Sequence, residues 1–498
     1  MRYLSTRGSA LSNGASECFV SGIAGDGGLF VPESFPEISL EEIAALGKLS
    51  YSQRCAFILS RYLDDFTSEE LNQCVSAAYD GGSFDCAARA PLSRLNGGLY
   101  MLELWHGPTL AFKDMALQLL PHLLVTAKRK LNRRETTLIL VATSGDTGKA
   151  ALEGFCDIEG VKIAVFYPEQ GVSLMQKLQM TTQEGENVAV CAIHGNFDDA
   201  QSAVKSIFTN DEIKAELAKK NMMFSSANSI NWGRLVPQIV YYFSAYADLC
   251  KMGQLQVGEP MNVVVPTGNF GNILAGYYAK HMGLPIKTMV CASNTNNVLT
   301  DFLKTGTYDR NRDFYATTSP SMDILISSNL ERLLYHMSGE SDAAVRGWMT
   351  QLAENGKYTV EPEVMAKIQN EFAAGYCDEA AVADTIHKTY TDQNYLCDTH
   401  TAVAVKVYRD YVAQTGDDLP TVIDSTASPY KFSKSVLTAV LEGNTPQLDE
   451  FDMVEELHRV TGAAVPAPLA ALKDKAVRFT QVCDRENMSQ MVFQLLNL

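Results

Sequence analysis

The sequence predicts an α/β protein whose parallel sheets are covered by helices on both faces and preceded by a mainly helical N-terminal region. From about residue 137 onward, short continuous apolar runs alternate with helical stretches, which is typical of buried parallel strands joined by helices. The chain has 498 residues, 46% of them hydrophobic and 20% charged, as in globular proteins. At roughly 100–200 residues per domain, this length indicates two to four domains.

The first 95 residues show helical rather than strand periodicity. Thr67 and Glu70 form a capping-box pattern that opens a helix. Residues 51–63 carry apolar side chains at helical spacing, and residues 25–28 form a glycine-rich turn before a short apolar run. This region is therefore predicted to be a helical N-terminal domain.

Apolar runs in the rest of the chain are predicted strands. They span residues 137–142, 161–167, 188–193, 262–266, 287–291 and 421–424, with helices from residue 149 and at residues 273–282. Because ligands bind at the carboxyl ends of the strands of such sheets, the chemistry is expected just after Ala142, Pro266 and Ile423. Residues 310–420 are predicted to be mainly helical.

Composition and charge exclude several classes of function. Lys plus Arg (41) against Asp plus Glu (58) gives a net charge of −17, which disfavours nucleic acids and anionic membranes as partners. No apolar run approaches the ~18 residues of a membrane span, and the N-terminus shows no secretory signal. The eleven cysteines show no C-x-x-C spacing and the histidines no H-E-x-x-H motif, so we expect reduced thiols, a cytoplasmic location and no metal site.

One strand-end segment has the composition of a phosphate-binding loop. Gly268, Asn269, Phe270, Gly271 and Asn272 follow a predicted strand and lead into a helix. Glycines and small polar residues at a helix start let several backbone N–H groups converge on an anion, with help from the helix dipole. The alternative is a plain glycine turn, and without G-x-G-x-x-G a dinucleotide site is a weak interpretation.

The segment after Ala142 is similar to the end of a Walker A loop but fails as one. Thr143 stands where the first glycine belongs, and Ala150 stands where Mg²⁺ needs a hydroxyl. What remains is a helix start with free N–H groups, two hydroxyls and Lys149, which suits a carboxylate or a phosphate. A hydroxyl-capped helix without a ligand is the alternative.

The third motif places a lysine among apolar side chains. Lys113 stands between Phe112 and Met115 near the start of a predicted helix. Burial disfavours the charged ammonium and leaves a more nucleophilic amine, although a lysine that extends to solvent is the commoner arrangement. His106, earlier in the same motif, is predicted to be structural.

A fourth polar cluster follows the strand that ends near Ile423. Residues 424–432 crowd hydroxyl groups at a strand end, unless they form only a polar loop. An amine nucleophile, a phosphate-cradling loop, an anion-binding helix start and a strand-end hydroxyl are together the parts of a pyridoxal-phosphate (PLP) site. The four motifs therefore predict a PLP-dependent enzyme.

These motifs, in this order, resemble those of the threonine synthases of the longer bacterial and fungal type, within the fold-type-II, tryptophan-synthase-β-like family of PLP enzymes. The resemblance covers nearly the whole chain. It rests on residues 3–8, 22–29, 106–109, 112–114, 143–148, 228–234, 268–272 and 425–427.

The resemblance implies two parallel-sheet α/β domains around a cofactor cleft, with a mainly helical N-terminal domain at residues 1–96. The large PLP-binding domain is expected at residues 97–134 and 260–445, and a smaller, mobile domain at residues 135–259. Residues 446–498 are expected to pack on the large domain.

The resemblance also implies a role for each motif. Lys113 forms the Schiff base with PLP, and Thr426 faces the pyridine nitrogen of the cofactor. The cofactor phosphate is expected at Gly268, Asn269, Phe270, Gly271 and Asn272. The loop for the substrate carboxylate is expected at Ser144, Gly145, Asp146 and Thr147, although many relatives of this fold have Asn where Asp146 stands.

Arg234, with Lys149 and Asn231, is our candidate for binding the substrate phosphate. A planar guanidinium suits an oxyanion because it donates two parallel hydrogen bonds. An ion pair on a helix surface is the alternative for Arg234.

The implied activity is the conversion of O-phospho-L-homoserine and water to L-threonine and phosphate, the last step of threonine biosynthesis, by a monomer or homodimer. The nearest alternative is a threonine-synthase-like phospholyase that releases 2-oxobutyrate, ammonia and phosphate. A dehydratase or sulfhydrylase of the same fold is a further alternative. A nucleotide-binding α/β module without catalysis is opposed by the setting of Lys113 and by the missing G-x-G-x-x-G.

Overall fold

The computed structural model describes residues 1–12, 14–143, 145–170, 172–195 and 197–496. Within these residues, two sheets built mainly of parallel strands form the centre of the molecule, and helices cover them. This arrangement confirms the predicted α/β class, since parallel sheets need cover on both faces.

The N-terminal region combines four helices with a small antiparallel sheet of three strands. Capping boxes at Ser39, Ser50 and Thr67 start three of the helices, and the one at Thr67 confirms the prediction. The helix predicted over residues 51–63 ends earlier, at Leu59. The elements are β1 (Tyr3–Ser5), β2 (Gly8–Ser12), α1 (Ala15–Ser21), β3 (Phe30–Pro32), α2 (Leu40–Leu46), α3 (Tyr51–Leu59) and α4 (Ser68–Tyr79).

Two strands of the larger sheet and two helices precede the smaller parallel sheet in the chain. The elements are β4 (Leu92–Arg94), β5 (Leu99–Glu103), α5 (Asp114–Leu117), α6 (Leu120–Lys130), β6 (Thr136–Ala142), α7 (Asp146–Phe155), β7 (Val161–Pro168), α8 (Leu174–Thr181), β8 (Val188–His194), α9 (Phe197–Thr209), α10 (Asp211–Lys219) and β9 (Met222–Ser225). Strands β8, β7, β6 and β9 lie side by side and run parallel. The three predicted strands are confirmed, whereas β9 was not predicted.

Near the expected boundary of the smaller domain at residue 259, the chain packs against the N-terminal region. After β9 the chain forms α11 (Trp232–Leu235) and α12 (Ile239–Lys251), and α12 packs against α2 and α3 of the N-terminal region. Residues 239–247 of α12 are all buried. A helix that is apolar on every face has to be covered from several sides, so α12 lies among the N-terminal helices rather than on the smaller sheet.

The larger sheet has the strand order β14-β11-β10-β15-β5-β4, in which only β4 runs antiparallel to its neighbour. The predicted strands at residues 262–266, 287–291 and 421–424 are confirmed. The elements are β10 (Met261–Pro266), α13 (Gly271–His281), β11 (Ile286–Ser293), α14 (Val298–Thr305), β12 (Thr307–Asp309), α15 (Leu330–Met337), α16 (Asp342–Asn355), β13 (Lys357–Thr359), α17 (Pro362–Glu371), β14 (Phe372–Tyr376), α18 (Glu379–Gln393), α19 (Thr399–Thr415), β15 (Thr421–Ser425) and α20 (Ser433–Val440).

The C-terminal segment divides between the two sheets, which corrects the expectation that all of residues 446–498 pack on the large domain. It forms α21 (Glu450–Thr461), α22 (Ala467–Ala470), β16 (Val482–Asp484) and α23 (Met488–Leu495). Helix α21 packs on α20, and its buried Leu457 joins the core of the larger sheet. Strand β16 instead extends the smaller sheet beside β8, where Cys483 and Met488 are buried.

Across the described ranges, no helix is both long and apolar enough to cross a membrane. The longest, α19, has 17 residues, fewer than the roughly 20 that a bilayer requires.

His106 connects the end of β5 to the segment before β4. Its ring nitrogens lie 2.6 Å from an Asp85 carboxylate oxygen and 2.9 Å from one of Glu103, and the ring stacks on Trp105 at 4.3 Å between centroids. Burial alone would lower the pKa of His106, but the hydrogen bonds to Glu103 and Asp85 outweigh burial and raise this pKa. These contacts agree with the structural role predicted for this residue.

We expect the stability contribution of His106 to depend on pH. A group whose pKa is raised by folding stabilises the fold fully below its unfolded pKa, about 6.5 for histidine, and loses this effect as the pH rises through the folded pKa. His106→Asn should therefore lower the melting temperature more at pH 6 than at pH 9. Thermal unfolding of His194→Asn, at an exposed histidine, is the control, and an equal loss at both pH values for His106→Asn would contradict the account.

Candidate functional site

A cleft of about 200 Å³ lies where the carboxyl ends of β6, β10 and β15 approach one another. The structure thus brings together the three strand ends that the sequence singled out. The expected site residues that line the cleft are Lys113, Asp146, Thr147, Arg234, Gly268, Asn269, Phe270, Gly271, Asn272 and Thr426.

Backbone hydrogen bonds hold the Lys113 segment against the loop that follows β15. The Phe112 N–H donates to the Thr426 carbonyl at 2.8 Å, and the Ser428 N–H donates to the Leu110 carbonyl at 3.0 Å. Lys113 is the cap residue of α5, which begins at Asp114. The position of the lysine is therefore set by main-chain pairing between two segments far apart in the sequence.

The Lys113 side chain is 9% exposed. Its ammonium nitrogen is 4.7 Å from the centre of the Phe112 ring, 3.5 Å from the Ser321 hydroxyl and 3.8 Å from Asp146 Oδ2. Burial lowers the pKa of Lys113 to about 8, with the negative charge of Asp146 opposing the change. At pH 7 about a tenth of this amine is thus unprotonated and nucleophilic, compared with less than about a thousandth of an ordinary lysine with a pKa of about 10.4.

The segment from Gly268 to Asn272 forms the start of α13 and faces the same cleft. Phe270 adopts a left-handed backbone conformation, φ 63°, and a Cβ on Gly268 would lie 2.7 Å from the Ser321 carbonyl oxygen. The first N–H groups of an eleven-residue helix have no acceptor within the helix. Such a helix start binds phosphate well, so these residues fit the phosphate of PLP.

Two side chains bind the backbone carbonyl groups of this loop. The Ser327 hydroxyl donates to the Gly268 carbonyl at 2.8 Å, and Asn329 donates to the Asn269 carbonyl through both its backbone and its side chain. Because the carbonyl groups are already paired, they are kept turned away from an anion.

A buried arginine supports Asn329 in turn. The Arg332 guanidinium is fully buried, and it donates to the Asn329 side chain and to the carbonyl groups of Phe30 and Ile230. Arg332 therefore connects the N-terminal region to residues 268–272, which we call the phosphate loop. Its role was not predicted, because no local pattern around residue 332 distinguishes it from a surface arginine.

The loop between β6 and α7 is built around Thr143. The Thr143 hydroxyl accepts hydrogen bonds from the N–H groups of Gly145 and Gly148, at 3.0 and 2.9 Å. Gly145 has φ 137°, and a Cβ there would meet the Gln176 side chain, so this turn requires glycine. Ser144, expected at the substrate carboxylate, lies outside the described residues.

Asp146 begins α7 and is almost fully buried. Its Oδ1 accepts hydrogen bonds from Gln176 and from the Lys431 ammonium, both at 2.9 Å, and its Oδ2 accepts one from Ser321 at 3.3 Å. Burial opposes ionisation, but the charges of Lys431 and Lys113 outweigh burial and hold the pKa of Asp146 below its usual range. An ionised carboxylate repels a substrate carboxylate, so only backbone groups of this helix start suit the role expected for Asp146.

Arg234 lies in the wall of the cleft with a charge that the protein barely compensates. It donates to the Ala227 carbonyl at 3.1 Å, and its Nε has no partner among the described residues. Burial lowers the pKa of Arg234 to about 10. A buried guanidinium with free donors is suited to an oxyanion ligand, as predicted for this residue.

Lys149 and Asn231, expected beside Arg234, have other partners and do not line the cleft. The Lys149 ammonium binds Glu153 at 2.7 Å and also contacts Gln183. The Asn231 side chain caps α11 at the Gly233 N–H, 2.9 Å away, and donates to two backbone carbonyls. The structure thus gives no support to their expected contact with a substrate phosphate: helix geometry directs Lys149 to Glu153 one turn later, and Asn231 serves as a helix cap.

Residues outside the predicted set also enter the site. Ser321 and His400 line the cleft, and the Ser321 N–H donates to His400 Nε2 at 3.1 Å. His400 in turn contacts Asp398 at 2.9 Å through Nδ1.

Lys431 belongs to the fourth motif, but no role was predicted for it. A lysine directly between two aromatic residues is the sequence signal that could have identified it.

Comparisons with known proteins agree with this geometry. Residues 2–79 match the family model described as "Threonine synthase N terminus", residues 87–369 that of "Pyridoxal-phosphate dependent enzyme", and residues 401–492 that of "Threonine synthase, C-terminal". The second of these models alone covers more than half of the chain.

Individual relatives carry related names. The chain is 42% identical over 435 residues to a human protein called "Threonine synthase-like 1", covering 85% of this chain but only 58% of that relative's length. It is 39% identical over 481 residues to the threonine synthase of Pseudomonas aeruginosa, covering 95% of this chain and 97% of the relative. A crystal structure of PLP-bound threonine synthase from Brucella melitensis superimposes with a TM-score of 0.87 at 37% identity, covering 100% of both chains.

We expect the amine of Lys113 to react at lower pH than an ordinary lysine. A pKa of about 8 places the midpoint of its pH-dependent acetylation near 8 in the cofactor-free protein, compared with about 10.4 for an unperturbed lysine. Pulse acetylation followed by peptide mass spectrometry measures this midpoint, and the peptide with exposed Lys219 corrects for decay of the reagent. A midpoint above 10 would contradict the effect of burial.

Proposed function

This chain belongs to the threonine synthase family of PLP-dependent lyases, and on that premise we propose that it converts O-phospho-L-homoserine and water to L-threonine and phosphate. The observation that carries the proposal is the buried Lys113 amine, which shares a cleft with the start of α13 and with the free donors of Arg234. The amine matches the aldehyde of PLP, and the helix start matches the phosphate of PLP. The free donors of Arg234 match the phosphate of the substrate.

In this proposal, PLP supplies the electron sink that makes the protons next to the substrate amino group acidic. Backbone N–H groups of residues 268–272 would hold the phosphate of PLP, and Lys113 would be its attachment point. Thr426, which lines the cleft, would offer its hydroxyl to the pyridine nitrogen. Because a hydroxyl favours protonation of that nitrogen less than a carboxylate does, this partner would favour elimination and replacement over transamination.

Lys113 is the group that moves protons in the proposed reaction. Once substrate has replaced it, its Nζ takes the α proton and returns protons to later positions along the carbon chain. The position of Nζ next to Asp146 Oδ2 and the Ser321 hydroxyl supports this role, because both oxygens can accept a hydrogen bond from the ammonium that results. A pKa near 8 suits a group that both gains and loses protons at neutral pH.

Two groups of residues bind the substrate. Asp146 and Thr147, which line the cleft, offer backbone N–H groups at the start of α7 for the substrate carboxylate. Arg234 binds the substrate phosphate from the wall of the cleft. Closing this cleft around the substrate would keep bulk water out until phosphate has left.

Arg234→Met should weaken binding of the phosphorylated substrate while the cofactor is retained. Hydrogen bonds to charged groups contribute ~1.5–3 kcal/mol each, so KM should rise about 10- to 100-fold with a smaller change in kcat. Steady-state kinetics and the cofactor content measure the two effects. Arg459→Met, at an arginine on the surface, is the matched control, and an unchanged KM for Arg234→Met would remove Arg234 from the phosphate site.

A second candidate is a phospholyase that releases 2-oxobutyrate, ammonia and phosphate from the same substrate. The 42% identity to proteins called "Threonine synthase-like 1" supports keeping this candidate. It requires the same Lys113, phosphate loop and Arg234, so the residues of the cleft do not separate the two outcomes.

Product analysis separates the two candidates. Purified protein with PLP is incubated with O-phospho-L-homoserine, and threonine, 2-oxobutyrate, ammonia and phosphate are quantified together. We expect equal amounts of threonine and phosphate, with neither product from Lys113→Ala. Phosphate matched by 2-oxobutyrate and ammonia would establish the phospholyase instead, and release of no phosphate would refute both.

We also propose that the protein works in the cytoplasm. The support is its eleven free cysteines, of which eight are buried. Thiols of this number stay reduced where glutathione and thioredoxin maintain a reducing environment.

A further inference from the structure

Lys431 is a second lysine near the cleft, where it contacts Asp146 from outside the cleft lining, and its side chain is completely buried. It lies in the short 3₁₀ turn Pro429–Phe432 directly after the loop that follows β15. Its ammonium donates to the Thr109 carbonyl at 2.8 Å and to Asp146 Oδ1 at 2.9 Å. An ammonium removed from water in this way requires a compensating charge, which Asp146 supplies.

Asp146 is consequently shared between two lysines. Its Oδ1 is bound by Lys431 and Gln176, so the carboxylate cannot rotate freely. Its Oδ2 is left on the side of Lys113, 3.8 Å from the amine. Lys431 does not line the cleft, whereas Asp146 and Lys113 do, so Lys431 contacts the reacting region only through Asp146.

We propose that Lys431 is a positioning residue that holds the Asp146 carboxylate oriented toward Lys113, and that it compensates part of the negative charge which Asp146 brings to the cofactor site. The inference deepens the proposed function, since it rests on Lys113 as the lysine that carries PLP. The pairing with Lys431 also gives a physical reason why this chain can have Asp146, a charged residue, in the buried loop after β6. An Asp without Lys431 would place an uncompensated buried charge beside the amine.

The effect of Lys431 on Lys113 follows from the charges around the amine. With both partners present, the positive charge of Lys431 offsets part of the stabilisation that Asp146 gives to the protonated form of Lys113, whereas Asp146 alone would stabilise that form more strongly. The other charged or titratable groups facing this region are Arg234, Asp114, Glu153, Asp323 and His400. The Asp114 carboxylate is bound by the N–H and hydroxyl of Thr109, and Glu153 pairs with Lys149, so neither replaces Asp146 as the partner of Lys431.

The test compares Lys431→Met, Asp146→Asn and the double variant as PLP-loaded proteins. Its readout is the pH midpoint of the cofactor's visible absorption change, which reports the charge next to Lys113 and not turnover. Lys431→Met should raise this midpoint by about one pH unit or more. The reason is that Asp146, whose carboxylate lies 3.8 Å from the Lys113 amine, is then no longer offset by Lys431, and an opposite charge this close shifts a pKa by roughly 1–3 units. Asp146→Asn should lower it, and the double variant should return it toward the wild-type value.

Lys128→Met is the matched control. Lys128 is also buried and donates to two backbone carbonyls, of Glu135 and Gly160, but it has no contact with Asp146. Its loss should reduce thermal stability without moving the spectral midpoint. A folded Lys431→Met protein with an unmoved midpoint would overturn the proposal, because a purely structural role changes stability alone.

Loss of the fold in Lys431→Met is also informative. The double variant leaves neither charge unpaired, so it should fold and retain PLP where the single variant does not. A double variant that unfolds like the single one would show that Lys431 acts through Thr109 alone, and would overturn the proposal. A PLP-loaded wild-type protein with no visible imine band would instead refute the role of Lys113 in the proposed function.

Discussion

The burial of the Lys113 amine is the constraint on which the rest of this site depends. A lysine with 9% of its side chain exposed can remain in a folded protein only if its charge is partly neutralised or lost. The structure meets this need with one carboxylate, Asp146, and with a lowered pKa. The nearby carboxylate and the lowered pKa both suit an amine that has to react with an aldehyde and then exchange protons.

The scaffold fixes this amine relative to the phosphate loop through long-range contacts. The Lys113 segment is hydrogen-bonded to the loop after β15, and the phosphate loop is held by Asn329 and Arg332. Arg332 also binds the Phe30 carbonyl in the N-terminal sheet. The N-terminal region therefore supports the wall of the cleft that residues 268–272 form.

Local sequence patterns predicted the parts of the fold and site that depend on local structure. The strand ends, the capping box at Thr67, the glycine-containing helix start and the apolar setting of Lys113 can each be recognised from a few adjacent residues. Parallel sheets then bring such strand ends together whatever their separation in the chain. This is why the residues that line the cleft could be found before the structure was known.

The errors arose where distant packing decides the outcome. Lys149 and Asn231 carry suitable chemical groups, but helix geometry and capping direct them to other partners. Strand β16 joins the smaller sheet because β8 leaves an edge for it, which no pattern within residues 446–498 indicates. Arg332 and Lys431 are recognisable only once their buried partners, far away in sequence, are known.

The most direct measurement is the identity of the lysine that holds the cofactor. Borohydride reduction of the PLP-loaded protein fixes PLP to its lysine, and peptide mapping then locates the label. The account predicts a single labelled peptide that carries Lys113. A label on Lys431 or any other lysine, or no label at all, would contradict it.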